Sequence, residues 1–150
     1  MYKRQGSYFD EIITMPQLKN ALPKSDFIVS ILPSTSETKG LLKYSHFEIM
    51  KKEAMFMNIG RGDLMKEETI HEVLKNQIIG HMVLDVFPNE PLNKNSDLWS
   101  YSSLTVTPHI SSISKNYLPR AFTIFERNLQ RFISHTNDEY VNKIDIRKGY

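Results

Sequence analysis

The sequence predicts an α/β protein: a parallel sheet with flanking helices. Three observations carry this. Short apolar, β-branched runs recur along the chain, segments with helical spacing fall between most of them, and 150 residues suffice for one domain with a core. Strands that read as continuous apolar runs are buried on both faces, so the pattern predicts helices on both sides of the sheet.

The elements follow in order. Pro16 to Ala21 reads as a helix, with Thr14 as its N-cap and an end before Pro23. Phe27-Ile28-Val29-Ser30-Ile31-Leu32 is the first strand. Ser45-His46-Phe47-Glu48 matches a capping box, with Ser45 as cap and Glu48 reaching back. Ala54 to Ile59 is the second strand. Lys66 to Asn76 is a helix with Ile70, Val73 and Leu74 on one face, and Gly80 lies shortly past its end. Met82 to Val86 is the third strand. Pro88 to Ser103 is a Pro- and Asn-rich loop with room for one short helix, and Leu104 to Thr107 is the fourth and shortest strand. Phe122, Phe125, Leu129, Phe132 and Ile133 are spaced by three and four, which predicts an amphipathic helix with Pro119 near its first turn. Tyr140 to Ile144 reads as a final strand.

Composition narrows the function classes. Hydrophobic residues make up 40% and charged residues 24%, the ordinary balance of a globular protein. A net charge of +2 gives no argument for nucleic acid or an anionic membrane. The absence of cysteine rules out disulfides and thiolate metal sites and fits a reducing cytoplasm; no metal site is predicted. No apolar run approaches the ~20 residues of a membrane span, and Met1 to Gly6 has basic residues without the apolar stretch of a secretory signal.

In parallel sheets, ligands bind beyond the carboxyl ends of the strands. Pro33 to Gly40 follows the first strand and Gly60-Arg61-Gly62-Asp63 the second; Asp85 and then Glu90 follow the third, and Pro108-His109-Ile110 the fourth. One arginine, two carboxylates and one histidine thus gather at one end of the predicted sheet. Singly, Arg61 also reads as a solvated turn charge, His109 as a structural residue and Glu90 as a loop carboxylate. Asp85, inside an apolar run, must be paired, hydrogen-bonded or exposed at the strand end. Together they suit one chemistry. Arg61 offers a planar fork for a carboxylate and a neighbouring carbonyl. His109 is an acid–base near neutral pH, and Glu90 would fix its tautomer and favour its protonated form. Such a set could bind a 2-keto acid and protonate the ketone as hydride arrives. No side chain donates hydride, so a nicotinamide cofactor is implied.

Asn58-Ile59-Gly60-Arg61-Gly62, Leu84-Asp85-Val86-Phe87, Glu90-Pro91-Leu92 and Thr107-Pro108-His109-Ile110, in this order and spacing, resemble the motif series of the D-isomer-specific 2-hydroxyacid dehydrogenases. Leu32-Pro33 with Glu37-Thr38 is similar to that family's loop on the nicotinamide side. The resemblance runs from about Phe9 to the C-terminus. It implies a partial Rossmann-like sheet using NAD or NADP, with Arg61, Glu90 and His109 catalytic and Pro33, Thr38, Asn58 and Asp85 at the cofactor. Tyr117 to Ala121 and the helix after it resemble the glyoxylate/hydroxypyruvate reductase branch. By the same resemblance, residues 1–115 correspond to the C-terminal portion of the cofactor domain. Residues 116–150 correspond to a crossover helix and a return segment toward a substrate domain.

The departures are equally informative. None of the six glycines forms G-x-G-x-x-G, the turn that holds a dinucleotide pyrophosphate. Relative to the family the chain is expected to be truncated at its N-terminus, without the first βαβ unit and nearly all of the substrate domain. Two functions of different class follow. One is a dehydrogenase part, inactive alone, that works as a homodimer or with a complementing N-terminal half on a small 2-keto or 2-hydroxy acid. The other is a non-catalytic remnant or regulatory binding relative. NAD versus NADP turns on residues near Met1 to Gln5, where Lys3 and Arg4 suit a 2′-phosphate or are plain terminal charges. His81 and Met65, where the family has small or β-branched residues, read as packing variants.

Overall fold

The computed structural model describes residues 9–136 and 140–147. Four strands, Phe27–Ser30 (β1), Met55–Asn58 (β2), His81–Leu84 (β3) and Leu104–Val106 (β4), form one sheet in the order β1-β2-β3-β4. Every neighbouring pair is parallel. The strands are shorter than the apolar runs that encode them, since pairing stops where each run turns into its loop. Asp85 lies just past β3, although its N–H still donates to the Asn58 carbonyl (3.0 Å).

Four helices connect or follow the strands: Leu18–Ala21 (α1), Tyr44–Phe47 (α2), Glu67–Lys75 (α3) and Tyr117–Ile133 (α4). Single 3-10 turns flank α1 at Met15–Gln17 and Leu22–Lys24. The helical run therefore continues through Pro23 instead of ending before it, because proline at the start of a turn lacks an N–H that the turn does not need. Ahead of it, the Thr14 N–H and hydroxyl both donate to the Gln17 side-chain oxygen (3.0 and 2.9 Å).

The expected capping box at Ser45 is not formed. Lys43 precedes the helix, Ser45 lies within it and Glu48 ends it, while His46 Nδ1 accepts from the Lys43 N–H (3.1 Å). The helix buries Phe47, edge-on to Phe56 with ring centroids 5.2 Å apart. α3 buries Ile70, Val73 and Leu74 as its periodicity requires. Its C-terminal left-handed residue is Gln77 (φ 49°) rather than Gly80. The Ile78 N–H returns to the Val73 carbonyl and the Gln77 N–H to that of Leu74, a Schellman closure.

Among the described residues the sheet is covered on one face only. Registered neighbours of a parallel sheet share a face. Ile28, Phe56, Met82 and Leu104 form one row, and Ser30, Asn58, Leu84 and Val106 another on the same face. Phe56, Met82 and Leu84 are fully buried there with Phe47, Ile70, Val73 and Leu98. The opposite face carries Phe27, Val29 and Ile31, exposed by 73, 53 and 73%. The expectation of two covered faces fails for a topological reason. Right-handed crossovers that advance through a sheet in one direction all pass over the same face, and the order β1-β2-β3-β4 never reverses.

α4 begins after Asn116 and holds Pro119 in its first turn, as expected, but it has no buried residue: Phe122, Phe125 and Phe132 are all more than half exposed. The final strand expected at 140–144 does not form. Asn142 takes a left-handed backbone (φ 57°), and both the N–H and the carbonyl of Val141 bond to the Asn128 side chain of α4 (2.9 and 3.0 Å). Among the described residues no helix is long and apolar enough to cross a membrane.

Candidate active site

The polar residues singled out in the sequence lie at the carboxyl ends of β1 to β4. After β1, the Thr38 hydroxyl donates to the Pro33 carbonyl (2.6 Å) and accepts from the Thr35 N–H (2.8 Å), which closes the loop and leaves Pro33 exposed on its rim. This loop is tied to the next. The Ser34 hydroxyl donates to Asp63 Oδ2 (2.6 Å), and the Gly40 N–H donates to the Asp63 carbonyl (2.8 Å).

After β2, the Asn58 side chain organises the turn that carries Arg61. Its oxygen accepts from the Gly60 N–H (3.2 Å) and its NH2 donates to the Arg61 carbonyl (3.0 Å). Glycine is required on both sides of Arg61. A β-carbon on Gly60 would lie 2.6 Å from the Leu32 carbonyl oxygen, and one on Gly62 would overlap the Phe87 backbone. The turn is therefore pressed between the loops that follow β1 and β3. Arg61 is exposed, with one guanidinium N–H on the Gly60 carbonyl (2.7 Å) and the rest of its fork available.

After β3 and β4, Asp85, Glu90 and His109 form one connected group. His109 Nδ1 and Glu90 Oε2 are 2.7 Å apart, and the other Glu90 oxygen accepts from the Phe87 N–H (2.9 Å). Burial raises the Glu90 pKa, but the His109 and Phe87 hydrogen bonds and the His109 charge outweigh it and hold the carboxyl below its ordinary value. Asp85 is only 2% exposed. Its carboxylate accepts from the Thr107 hydroxyl, the Ile110 N–H (3.0 Å) and the Ser111 N–H (2.8 Å). Burial again opposes ionisation, yet these donors bring its pKa down to about 2.

A cavity of about 630 Å3 opens beside this group, with Glu90 and His109 on one side and Pro91, Leu92, Trp99 and Val106 as apolar walls. With Nδ1 taken by Glu90, Nε2 is the imidazole nitrogen left for proton exchange. An exposed guanidinium one strand away can take a carboxylate. The Glu90–His109 pair can exchange a proton with a small molecule in the cavity.

The structure thus joins Glu90, His109 and Asp85 at one cavity. Arg61 is not part of that wall, but its turn abuts it through Gly62 on Phe87. Asn58 and Asp85, which the resemblance places at the cofactor, are buried and bond to loop backbone, and Asp85 also borders the cavity. Trp99 was missed. It is the chain's one tryptophan, in a Pro- and Asn-rich loop, held by its Nε1–H on the Asn93 carbonyl (2.9 Å). Lys3 and Arg4, on which the choice of NAD or NADP turned, lie outside the described residues.

Residues 1–111 match the family described as D-isomer specific 2-hydroxyacid dehydrogenase, NAD binding domain. The chain belongs to this family. Glyoxylate/hydroxypyruvate reductase B of Enterobacter sp. (strain 638) is 41% identical over 96 residues, which are 64% of this chain and 30% of that protein. Among solved structures, the D-isomer specific 2-hydroxyacid dehydrogenase of Xanthobacter autotrophicus Py2, in complex with NADPH and MES, superposes with a TM-score of 0.81 at 32% identity. That match covers 91% of this chain and 55% of the other. The NADPH-dependent glyoxylate/hydroxypyruvate reductase of Sinorhizobium meliloti, in complex with NADP and sulfate, gives 0.82 at 30%, covering 99% and 48%. The family chain described here spans about half the length of the solved relatives it matches. Its four parallel strands and flanking helices are the Rossmann-like arrangement expected of an NAD-binding domain of this family.

Proposed function

We propose that this chain supplies the acid–base half of an NAD(P)-dependent reductase of small 2-keto acids, glyoxylate or hydroxypyruvate being the representative substrates. The observation that carries the proposal is the Glu90–His109 pair, 2.7 Å apart on a cavity at the carboxyl edge of a parallel sheet. Arg61 binds the substrate carboxylate and ketone oxygen through two parallel hydrogen bonds. Glu90 holds His109 Nδ1, so the proton reaches the ketone oxygen from Nε2. In the reverse direction the same nitrogen takes the proton from the 2-hydroxy acid.

The nicotinamide, when bound, supplies the hydride. The exposed Pro33 rim, with Thr38 locking its carbonyl, suits the flat nicotinamide end. The pyrophosphate end finds no G-x-G-x-x-G turn in this sequence. Turnover therefore draws on a phosphate-binding segment outside these 150 residues. Residues 116–150, with the exposed apolar face of α4, act as a crossover helix and a return segment toward a substrate domain. A cytoplasmic location fits a nicotinamide-dependent reductase.

The experiment is titration of NADH and NADPH into the purified chain, alone and with the phosphate-binding half of a relative, followed by turnover of glyoxylate and hydroxypyruvate. Weak binding and no turnover alone, with both gained on complementation, is the expected result. No turnover in either setting would leave the non-catalytic relative as the better reading.

A further inference from the structure

We infer that Asp85 is a positioning residue for the Glu90–His109 pair: its buried carboxylate fixes the backbone around His109 in the conformation that lays the imidazole on Glu90. The inference rests on the acid–base reading of His109 above but concerns only how that side chain is placed.

His109 has a left-handed backbone (φ 53°). A residue with a β-carbon is disfavoured there unless its surroundings hold it. The holding contacts all converge on one residue. The His109 N–H donates to the Asp85 carbonyl (2.9 Å), the next two amides, of Ile110 and Ser111, donate to its carboxylate, and the Thr107 hydroxyl donates to the same group. Four donors within five consecutive residues thus end on Asp85. Freed from them, the segment can relax to negative φ, which swings the imidazole off Glu90. Asn58 has the matching place one strand away, under the Arg61 turn, and its carbonyl accepts from the Asp85 N–H.

Asp85→Asn keeps the size and removes one acceptor. Whichever way the amide is turned, its NH2 confronts a backbone N–H, either Ile110 or Ser111. Glu90 reports the consequence. The charged groups acting on it are His109, which favours its ionised form, and Asp85, which opposes it. If Asp85 acted only as a charge, its removal would lower the Glu90 titration midpoint further. If Asp85 places His109, its loss breaks the His109 contact and the midpoint rises toward the ordinary glutamate value. The two accounts differ in sign.

The test is carboxyl-carbon NMR of Glu90 across acid pH in the full chain. We expect a rise in Asp85→Asn, a rise in His109→Ala, and no further rise when the two are combined. Thr107→Val leaves the charge in place and removes one contact, so a smaller rise is expected, with Thr107→Ser restoring the parent midpoint. A fall or no change in Asp85→Asn overturns the inference. Should that variant fail to fold, the sign in Thr107→Val decides: a rise supports the placement and no change overturns it. None of these readouts needs turnover, so failure here is distinct from failure of the catalytic role proposed for His109.

Discussion

Phe56 and Phe27 are the same residue type in neighbouring strands of one sheet, yet Phe56 is fully buried and Phe27 is 73% exposed. The same contrast separates Met82 and Leu84 from Val29 and Ile31. Hydrophobicity does not distinguish the two faces; strand order does. A sheet built in one direction receives all its crossovers on one face, and the other face keeps its apolar residues with nothing described lying over them. One face is a finished core, and the other has the composition of a core and the exposure of a surface.

Alanine at the two phenylalanines measures that contrast most strongly. Phe56→Ala should cost ~3–5 kcal/mol, the loss typical of a buried aromatic. Phe27→Ala should stay within ~0.5 kcal/mol in urea unfolding. Similar costs would mean that the open face is covered in solution.

The site at the carboxyl ends of the strands adds a pH dependence. The Asp85 carboxyl, at about 2 in the folded chain, lies below its unfolded value of ~3.9. A depressed carboxylate contributes stability above the unfolded value and loses it as pH falls through the folded one. About 2–3 kcal/mol should therefore disappear between pH ~4 and ~2, and Asp85→Asn should flatten that part of the stability–pH curve. Next in size, Asn58→Ala leaves the Gly60 N–H and the Arg61 carbonyl without their side-chain partner, at a cost of ~1–3 kcal/mol. Thermal unfolding reads it.

The smallest effect on stability belongs to the open face. Val29→Thr and Ile31→Thr should change stability by no more than ~0.5 kcal/mol while weakening self-association, which an exposed apolar face and an open strand edge promote. Light scattering across a concentration series checks this. A parent chain that stays monomeric at every concentration would break the comparison.

What was legible in the sequence follows the same division. The four strands, α3 and α4 could be read because local apolar spacing determines them. The placement of Arg61, Glu90 and His109 at the strand ends could be read because each follows an apolar run. The one-sided cover could not, since it depends on strand order and handedness. The resemblance assigns Asn58 and Asp85 to the cofactor, but not the bonds that both make to loop backbone. Their burial depends on partners elsewhere, Ser111 being 26 residues beyond Asp85. Ser45-x-x-Glu48 carried a capping signature, but the helix starts at Tyr44, where His46 takes the Lys43 N–H instead. The tail at 140–144 had strand-like composition, and a single asparagine of α4 took the backbone groups of Val141 that pairing would have needed.

The central claim is that His109, held by Glu90, moves the proton in keto-acid reduction. Its most direct test is the turnover number for glyoxylate with NADPH or NADH, measured for the chain complemented with a phosphate-binding half. The parent is compared with His109→Gln. The account predicts a loss on the order of 10²–10⁴-fold, the usual share of a general acid–base, with cofactor affinity unchanged. A His109→Gln assembly that turns over at the parent rate would contradict it.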